Sequence, residues 1–202
     1  MLSSSSIPEP SRIVRAFLAL RVPPEVIGKL KVLQSDLSAL FDEVAWTRAD
    51  SLHLTIRFFG NVSREHLEEL ERTIREICAN VPPFPMRAEK VGCFSERVIW
   101  AGIGGAMHRL QDLETRIGQA TRGFGDHKEE REFRPHLTIG RVKRGRAGKM
   151  SVAERLVGWA GAEFGGWTVD HLELMRSELS RQGARHTRLA EIALAGRFLS
   201  EG

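Results

Sequence analysis

The sequence predicts an α+β protein of two pseudo-symmetric lobes, each an antiparallel sheet with helices on its outer face, and a central cleft between them. One strand motif occurs twice, as HLTIRFFG from His53 and as HLTIGRV from His136. The two copies are offset by 83 residues, and each follows an apolar strand and an amphipathic helix at equal distance. Such a repeat indicates a tandem duplication, which would bring the two motif strands together in the cleft.

The first half of the chain alternates strands with helices. A strand is predicted over Ile13–Leu20, and Pro23-Pro24 then opens a helix to about Phe41 with apolar residues at helical spacing. The first motif strand is expected to end at the turn dipeptide Gly60-Asn61. Ser63 is the predicted N-cap of a helix that runs through Ala79.

The second half follows the same order. Met86–Phe94 and Val98–Ile103 are predicted to form a hairpin, followed by a helix over Ala106–Arg122. After the second motif strand we expect a loop at Gly145–Gly148, a short helix near Ser151–Ala160, and strands near Thr168–Arg176 and Arg188–Leu194.

Composition points to one globular domain. Residues 1–11 are predicted to be a disordered tail, and residues 12–202, in a chain that is 42% hydrophobic, to be a single two-lobed domain. No apolar run approaches the roughly 18–20 residues that a membrane span needs, and no secretory signal is recognisable. With only two cysteines, the chain is expected to be cytoplasmic. A net charge of +4 favours a polyanionic partner.

The repeated motif carries the residues that could perform catalysis. Side chains alternate across a strand, so His53 shares a face with Thr55, and His136 with Thr138. A neutral imidazole can remove a proton from a nucleophile while an imidazolium protonates a leaving oxygen, and hydroxyl groups can bond phosphate oxygens. Two matched pairs facing one cleft therefore suggest metal-free cleavage of a phosphodiester.

These motifs resemble those of the two-histidine (2H) phosphoesterases, whose signature is a pair of HxT motifs, each followed by an apolar residue. The nearest resemblance is to the RNA 2′,3′-cyclic phosphodiesterase branch, also described as 2′-5′ RNA ligases. It rests on the strings RAFLALRVP, VAWTRADSLHLTIRFFG, RVIWAGIG, FRPHLTIGRV and LELMRSEL, and it covers nearly the whole chain from Arg15. Gly140 departs from the pattern, because the branch commonly has alanine there.

The resemblance implies a role for each motif residue. His53 would be the general acid that protonates the departing ribose O3′, and His136 the general base that activates water. Thr55 and Thr138 would hold the phosphate oxygens. Arg141, five residues after the second histidine, would be a further phosphate ligand.

Strand geometry leaves two candidates for the phosphate-binding arginine. By strict alternation Arg141 faces away from the second motif's histidine and threonine, and it reaches the site only if the strand bulges or twists near Gly140. Arg57 lies an even number of residues after His53, so strict alternation places it on the same face as His53 and Thr55. This makes it the second candidate. The other histidines are expected to be structural or exposed: His66, His108, His127, His171 and His186.

The resemblance implies an RNA 2′,3′-cyclic phosphodiesterase that converts a terminal 2′,3′-cyclic phosphate to a 2′-phosphomonoester with no metal and no cofactor. RNA ends that carry a cyclic phosphate, with tRNA fragments as one candidate source, would be its partners, and no membrane or protein partner is implied. Within enzymes, the alternatives are a 2′-5′ RNA ligase and a phosphodiesterase for small cyclic nucleotides or ADP-ribose cyclic phosphate. A non-enzymatic RNA-end-binding module is less favoured, because the chain has no tyrosine for base stacking and a binder needs no titratable pair.

Overall fold

The structure, a computed structural model, describes residues 12–128, 132–143, 150–180 and 183–197. The expected tail at 1–11 and the expected loop at 145–148 lie outside these residues. The strands are β1 Ile13–Arg21, β2 Val44–Trp46, β3 His53–Ser63, β4 Phe84–Phe94, β5 Val98–Gly105, β6 His136–Val142, β7 Glu163–Val169, β8 His171–Ser180 and β9 Gly183–Ala193. The α-helices are α1 Pro24–Ser38, α2 Arg64–Cys78, α3 Met107–Ala120 and α4 Val152–Arg155.

The strands form one antiparallel sheet that consists of two similar halves. Its order is β7-β4-β5-β6-β3-β1-β8-β9, and β2 pairs with β6. The halves meet where β6 lies beside β3, through the pair Leu54–Leu137. The predicted α+β class and the predicted neighbourhood of the two motif strands are therefore confirmed.

The pairing inside each half shows the pseudo-symmetry and also its limit. The motif strands pair with the strands that open their repeats, β3 with β1 and β6 with β5. Leu54 lies opposite Leu20, whereas Leu137 lies opposite Ala101. A strict 83-residue offset would bring Ile103 to that position. The arrangement of strands thus repeats, but the register differs by two residues.

Helices cover one face of the sheet, and the other face lines the cleft. The alternate aliphatic residues of the motif strands, Leu54, Ile56, Leu137 and Ile139, are at most 3% exposed and belong to one hydrophobic core. The helices supply the other side of that core through Leu30, Leu33 and Leu37 of α1, Leu70 and Ile74 of α2, and Leu110, Leu113 and Ile117 of α3. Burial of these residues fixes which face of each motif strand remains for the cleft. None of the described helices combines the length and the apolar composition that crossing a membrane requires.

The first motif strand does not end at Gly60-Asn61, contrary to the prediction. Gly60 has a φ of +72°, but the pairing with β1 continues on both sides of a shift between Phe58 and Gly60. The Asn61 backbone N–H and side-chain amide donate to the Asp126 carboxylate over 2.7 and 2.9 Å. The glycine conformation is therefore accommodated as a β-bulge inside a longer strand.

The predicted strand at 168–176 is in fact two strands. Glu163–Val169 pairs with β4 and His171–Ser180 pairs with β1, so Asp170 alone connects the first strand of the order, β7, to the second-to-last, β8. The sheet must curl to bring those strands together.

The remaining differences from the prediction concern short elements and strand ends. The strand Val44–Trp46 was not predicted, and the last strand begins at Gly183 rather than near Arg188. The expected helix near 151–160 is only Val152–Arg155, followed by a 3₁₀ turn at Val157–Trp159.

Candidate active site

The two motif histidines lie close together where the two halves of the sheet meet. Because Leu54 pairs with Leu137 in antiparallel register, His53 and His136 are diagonal neighbours across the two strands. Diagonal neighbours in such a pair have Cα atoms about 7–8 Å apart. The charge of a protonated His136 is also felt at His53. One small anion could therefore contact both imidazoles.

Each histidine is held by a backbone carbonyl two residues before it. The Nδ1 of His53 lies 2.8 Å from Ser51 O, and the Nδ1 of His136 lies 2.7 Å from Arg134 O. A carbonyl oxygen only accepts hydrogen bonds, so each Nδ1 is the protonated nitrogen that donates. This leaves each Nε2 as the atom available for proton exchange in the cleft.

All four motif residues line one cavity of about 510 Å³. His53 and Thr55 contribute from one half, and His136 and Thr138 from the other. Arg141 lies on the same wall. Thr55, His136 and Arg141 also border a neighbouring cavity of about 890 Å³. These three residues therefore stand between two compartments of an open cleft, whereas His53 and Thr138 border only the smaller of the two.

Each motif strand contains a β-bulge three residues after its histidine. The pairing of β3 with β1 skips Ile56, and the pairing of β6 with β5 skips Ile139. A bulge changes the alternation beyond it, so the residue five positions after each histidine turns toward the cleft. That residue is Phe58 in the first copy and Arg141 in the second, and both line the 510 Å³ cavity.

The bulges decide the geometric question left open for the two arginines. Arg141 has the bulge that it needs, directly before Gly140, and joins the second motif's face. Arg57 does not share the strand face of His53 and Thr55, contrary to strict alternation, because the bulge at Ile56 turns it out of the 510 Å³ cavity. Arg57 is 13% exposed, with Nη1 4.0 Å from Glu114 Oε1 on α3, and it borders the larger cavity.

Gly140 is a glycine for a steric reason. A Cβ atom at this position would lie 2.7 Å from Val44 Cγ1 and 2.8 Å from Trp46 Cε3. Both neighbours belong to β2, which pairs with β6 at this point. The Trp46 ring, which also borders the 510 Å³ cavity, occupies the space that a side chain at this position would need.

Burial makes His53 a weak base in the free protein. Its pKa falls from 6.5 to about 4, mainly because burial penalises the charged form. The charge of His186 lowers the pKa further, the bond to Ser51 O raises it, and the charge of His136 lowers it. At neutral pH the His53 imidazole is therefore neutral before any ligand binds.

His186 is a site residue that the sequence analysis missed. Its ring centroid lies 5.3 Å from that of His53 with the planes at 85°, and it lines the 510 Å³ cavity. Strand β9 brings it there, since His186 pairs with Ser177 on β8, which in turn pairs with the opening strand β1. No motif marks His186, and only the order of the last two strands could have indicated its position.

Phenylalanines border both motif histidines. The Phe17 ring lies 4.9 Å from the His53 ring, and the Phe94 ring lies 5.0 Å from the His136 ring. These apolar neighbours help to limit the ring orientations of the two histidines. They also reduce the contact of each imidazole with water.

One group within the described ranges has the side chains for a metal ion, namely His171, Glu173 and Glu191. Arg188 donates to the carboxylates of both Glu173 and Glu191 and balances one of their two charges. The group does not line the 510 Å³ cavity that contains both motif histidines, although Glu173 borders a smaller cavity beside His53. Its side chains are therefore already engaged in ion pairs.

Comparison with known proteins gives consistent matches along most of the chain. The sequence model of the 2′-5′ RNA ligase superfamily matches residues 22–181. A protein of Methanothermobacter thermautotrophicus named RNA 2′,3′-cyclic phosphodiesterase is 30% identical over 178 residues, which are 86% of this chain and 95% of the relative. A protein of Aquifex aeolicus with the same name is 26% identical over 193 residues, 92% of this chain and 100% of the relative.

Solved structures agree with these sequence matches. The crystal structure of E. coli LigT complexed with 3′-AMP superimposes with a TM-score of 0.72 at 25% identity, covering 90% of this chain and 98% of that one. A protein of Thermus thermophilus gives a TM-score of 0.71 at 25% identity, covering 91% of this chain and 99% of that one. The similarity covers about nine-tenths of this chain and is therefore not limited to the two motif strands.

Proposed function

The chain belongs to the 2′-5′ RNA ligase superfamily, and from this membership and the geometry of the cleft we propose that it is an RNA 2′,3′-cyclic phosphodiesterase. It hydrolyses a terminal 2′,3′-cyclic phosphate to a 2′-phosphomonoester. The observation that carries the proposal is the pair His53 and His136 in one cavity, each with Nδ1 bound to a carbonyl and Nε2 left for proton exchange.

In the proposed reaction the two histidines divide the proton transfers. His136 accepts a proton from water as the water oxygen attacks phosphorus. The P–O3′ bond breaks on the opposite side, and O3′ takes the proton that His53 held. The phosphate remains on O2′, and each imidazole ends in the protonation state that the other had before the reaction.

Three side chains are suited to stabilise the phosphate oxygens during this step. Thr55 and Thr138 present hydroxyl donors from the two halves of the sheet, and Arg141 presents a planar guanidinium on the same wall. Charge on the equatorial oxygens increases in the transition state, so donors fixed in advance lower the barrier. Arg57 is the less favoured phosphate ligand because it is directed toward Glu114.

The role of His53 as acid requires the substrate to raise its pKa. With a pKa of about 4, roughly one molecule in a thousand carries the proton at pH 7 in the free protein. An anionic phosphodiester beside the ring favours the charged form. A charge-assisted hydrogen bond worth about 1.5–3 kcal/mol corresponds to a rise of about 1–2 in the pKa. Substrate binding should therefore be accompanied by proton uptake near pH 5, which lies between the free and the bound pKa.

The lowered pKa of His53 is also the one observation that favours the opposite assignment, with His53 as base. Proton uptake distinguishes the two. Calorimetric titration of 2′,3′-cyclic AMP into the inactive His136→Ala variant, in buffers of different ionisation enthalpy at pH 5, should show uptake that disappears when His53→Asn is added. Equal uptake with and without His53→Asn would contradict the acid role of His53.

The same groups could also join RNA ends. If an RNA 5′-hydroxyl replaces water, the steps are unchanged and the product is a 2′-5′ phosphodiester. RNA is the substrate class proposed here, and tRNA fragments are one proposed source of it. Ligation is the second candidate, supported by the name of the superfamily that matches the chain.

The decisive test is product identity. The protein, with EDTA present, would be incubated with 2′,3′-cyclic AMP and with an oligonucleotide ending in a cyclic phosphate, and products would be compared with 2′- and 3′-phosphate standards by phosphorus NMR. A 2′-phosphomonoester, formed by wild type and not by His136→Ala, is the expected result. A 3′-phosphate would overturn the assigned histidine roles, and no turnover of either substrate would favour an RNA-end-binding module.

A further inference from the structure

His186 belongs to a compact cluster of three rings around the proposed acid. Its ring centroid lies 5.0 Å from that of Phe17 and 5.3 Å from that of His53, while Phe17 and His53 are 4.9 Å apart. Each ring therefore contacts the other two. Rotation of the His53 imidazole about its Cβ–Cγ bond would force the edge of the ring into one of these neighbours.

No hydrogen bond at Nδ1 holds the His186 ring within the described part of the chain. This atom is buried, and no partner for it occurs among the residues that the structure describes. A buried N–H without an acceptor is costly, so the proton of the neutral form belongs on Nε2. In protonated His186, Nδ1 would carry a buried N–H without an acceptor. Burial of the ring also lowers the pKa of His186. At pH 7 the His186 side chain is therefore mainly a neutral ring, and it takes up a proton only at lower pH.

We propose that His186 is a positioning residue for His53, whose edge-to-face contact holds the His53 imidazole with Nε2 directed into the cleft. This inference rests on the proposed function, because it assigns His186 to the proton donor of that reaction. One hydrogen bond, from Nδ1 to Ser51 O, does not fix a ring that can still tilt about it. The neighbouring rings supply the second constraint. A small displacement of a catalytic group can cost about 10²-fold in rate.

The same contact makes the two imidazoles compete for protons. When His186 is protonated, its charge opposes protonation of His53. Charged or titratable groups from every packed element line the two cavities that the pair borders, namely Arg15, Arg21, Arg48, Asp50, His136, Arg141, Glu173 and Arg188. Asp50 favours the charged form of His186, whereas Arg48 opposes it. Removing the His186 imidazole should therefore raise the pKa of His53.

Two substitutions separate ring packing from polar contact. His186→Phe keeps a ring of similar shape, whereas His186→Ala removes it. We expect kcat on a cyclic-phosphate oligonucleotide to fall by about 5- to 100-fold in the alanine variant and by less than about 3-fold in the phenylalanine variant at pH 7. His108→Ala, at an exposed position on α3, is the matched control and should leave kcat unchanged. A phenylalanine variant as slow as the alanine variant, or an alanine variant with normal kcat, would overturn the positioning role.

A second measurement does not depend on activity. In ¹⁵N NMR titrations the pKa of His53 should rise by at least about 0.5 in both His186 variants, since two unit charges about 5 Å apart interact by this amount even in water. An unchanged pKa in folded variants would overturn the inference while leaving the phosphodiesterase proposal intact. If the wild-type protein showed no turnover but the variants showed the pKa shift, the proposed function would be rejected. The contact between the His186 and His53 rings would still be supported.

Discussion

The buried, neutral state of His53 predicts a measurable dependence of stability on pH. The folded-state pKa is about 4 and the ordinary value is 6.5. Below pH 6.5 the unfolded chain therefore binds a proton that the folded protein does not, so the free energy of unfolding decreases as the pH falls toward 4. Each pH unit in this window corresponds to about 1.4 kcal/mol, so lowering the pH from 7 to 5 should cost about 2 kcal/mol through His53 alone.

Urea unfolding at several pH values can isolate this contribution. Asparagine cannot titrate, and its amide can replace Nδ1 as the donor to Ser51 O, so His53→Asn should lose about 2 kcal/mol less than wild type between pH 7 and pH 5. His108→Asn, an exposed histidine on α3, controls for the loss of an imidazole and should behave as wild type. If wild type and His53→Asn lost equal stability over this range, the inference that His53 is buried in its neutral form would be refuted.

Three further predictions concern turnover and packing. His53→Ala and His136→Ala should each reduce kcat by at least about 10²-fold, and the double variant should be little slower than either, which steady-state kinetics on a cyclic-phosphate oligonucleotide would show. Arg141→Ala should lower kcat/KM by about 10- to 100-fold through the loss of a charge-assisted bond, and Arg57→Ala, the matched arginine change, should lower it less; equal losses would remove the distinction drawn between them. Gly140→Ala should destabilise the fold by about 1–3 kcal/mol, because the added Cβ would lie 2.7 Å from a β2 methyl carbon, and an unchanged urea midpoint would argue against that packing.

The sequence predicted the main elements because their signals are local. The period-two alternation around His53 and His136 and the helical spacing of apolar residues both follow from burial of one face. Gly60 was misassigned because a glycine with positive φ serves a turn and a bulge equally well, and the bulge is held by long-range contacts, from Asn61 N–H to Asp126 and from His127 N–H to Phe59 O.

The site was predictable only where its residues belong to the repeat. The bulge at Ile139 brings Arg141 into the cleft, and strict alternation had made such a bulge the condition for that arginine. The matching bulge at Ile56 has no separate sequence signal, so strict alternation misplaced Arg57. His186 depends on the pairing of β9 with β8 and of β8 with β1, and such long-range pairing is not encoded in the residues near it.

The two bulges make the cleft directional. Up to Ile56 and Ile139 the motif strands present the same groups, but beyond them one strand offers the ring of Phe58 and the other the guanidinium of Arg141. A ligand between the strands meets on one side the ring of Phe58, with the Arg15 guanidinium 4.7 Å from its centroid, and on the other side the guanidinium of Arg141. Turning the ligand about the pseudo-twofold axis that relates the two halves of the sheet would exchange these environments. The two nearly equivalent histidines are thus made distinguishable by the residues that follow them, and one binding orientation is preferred over its inverse.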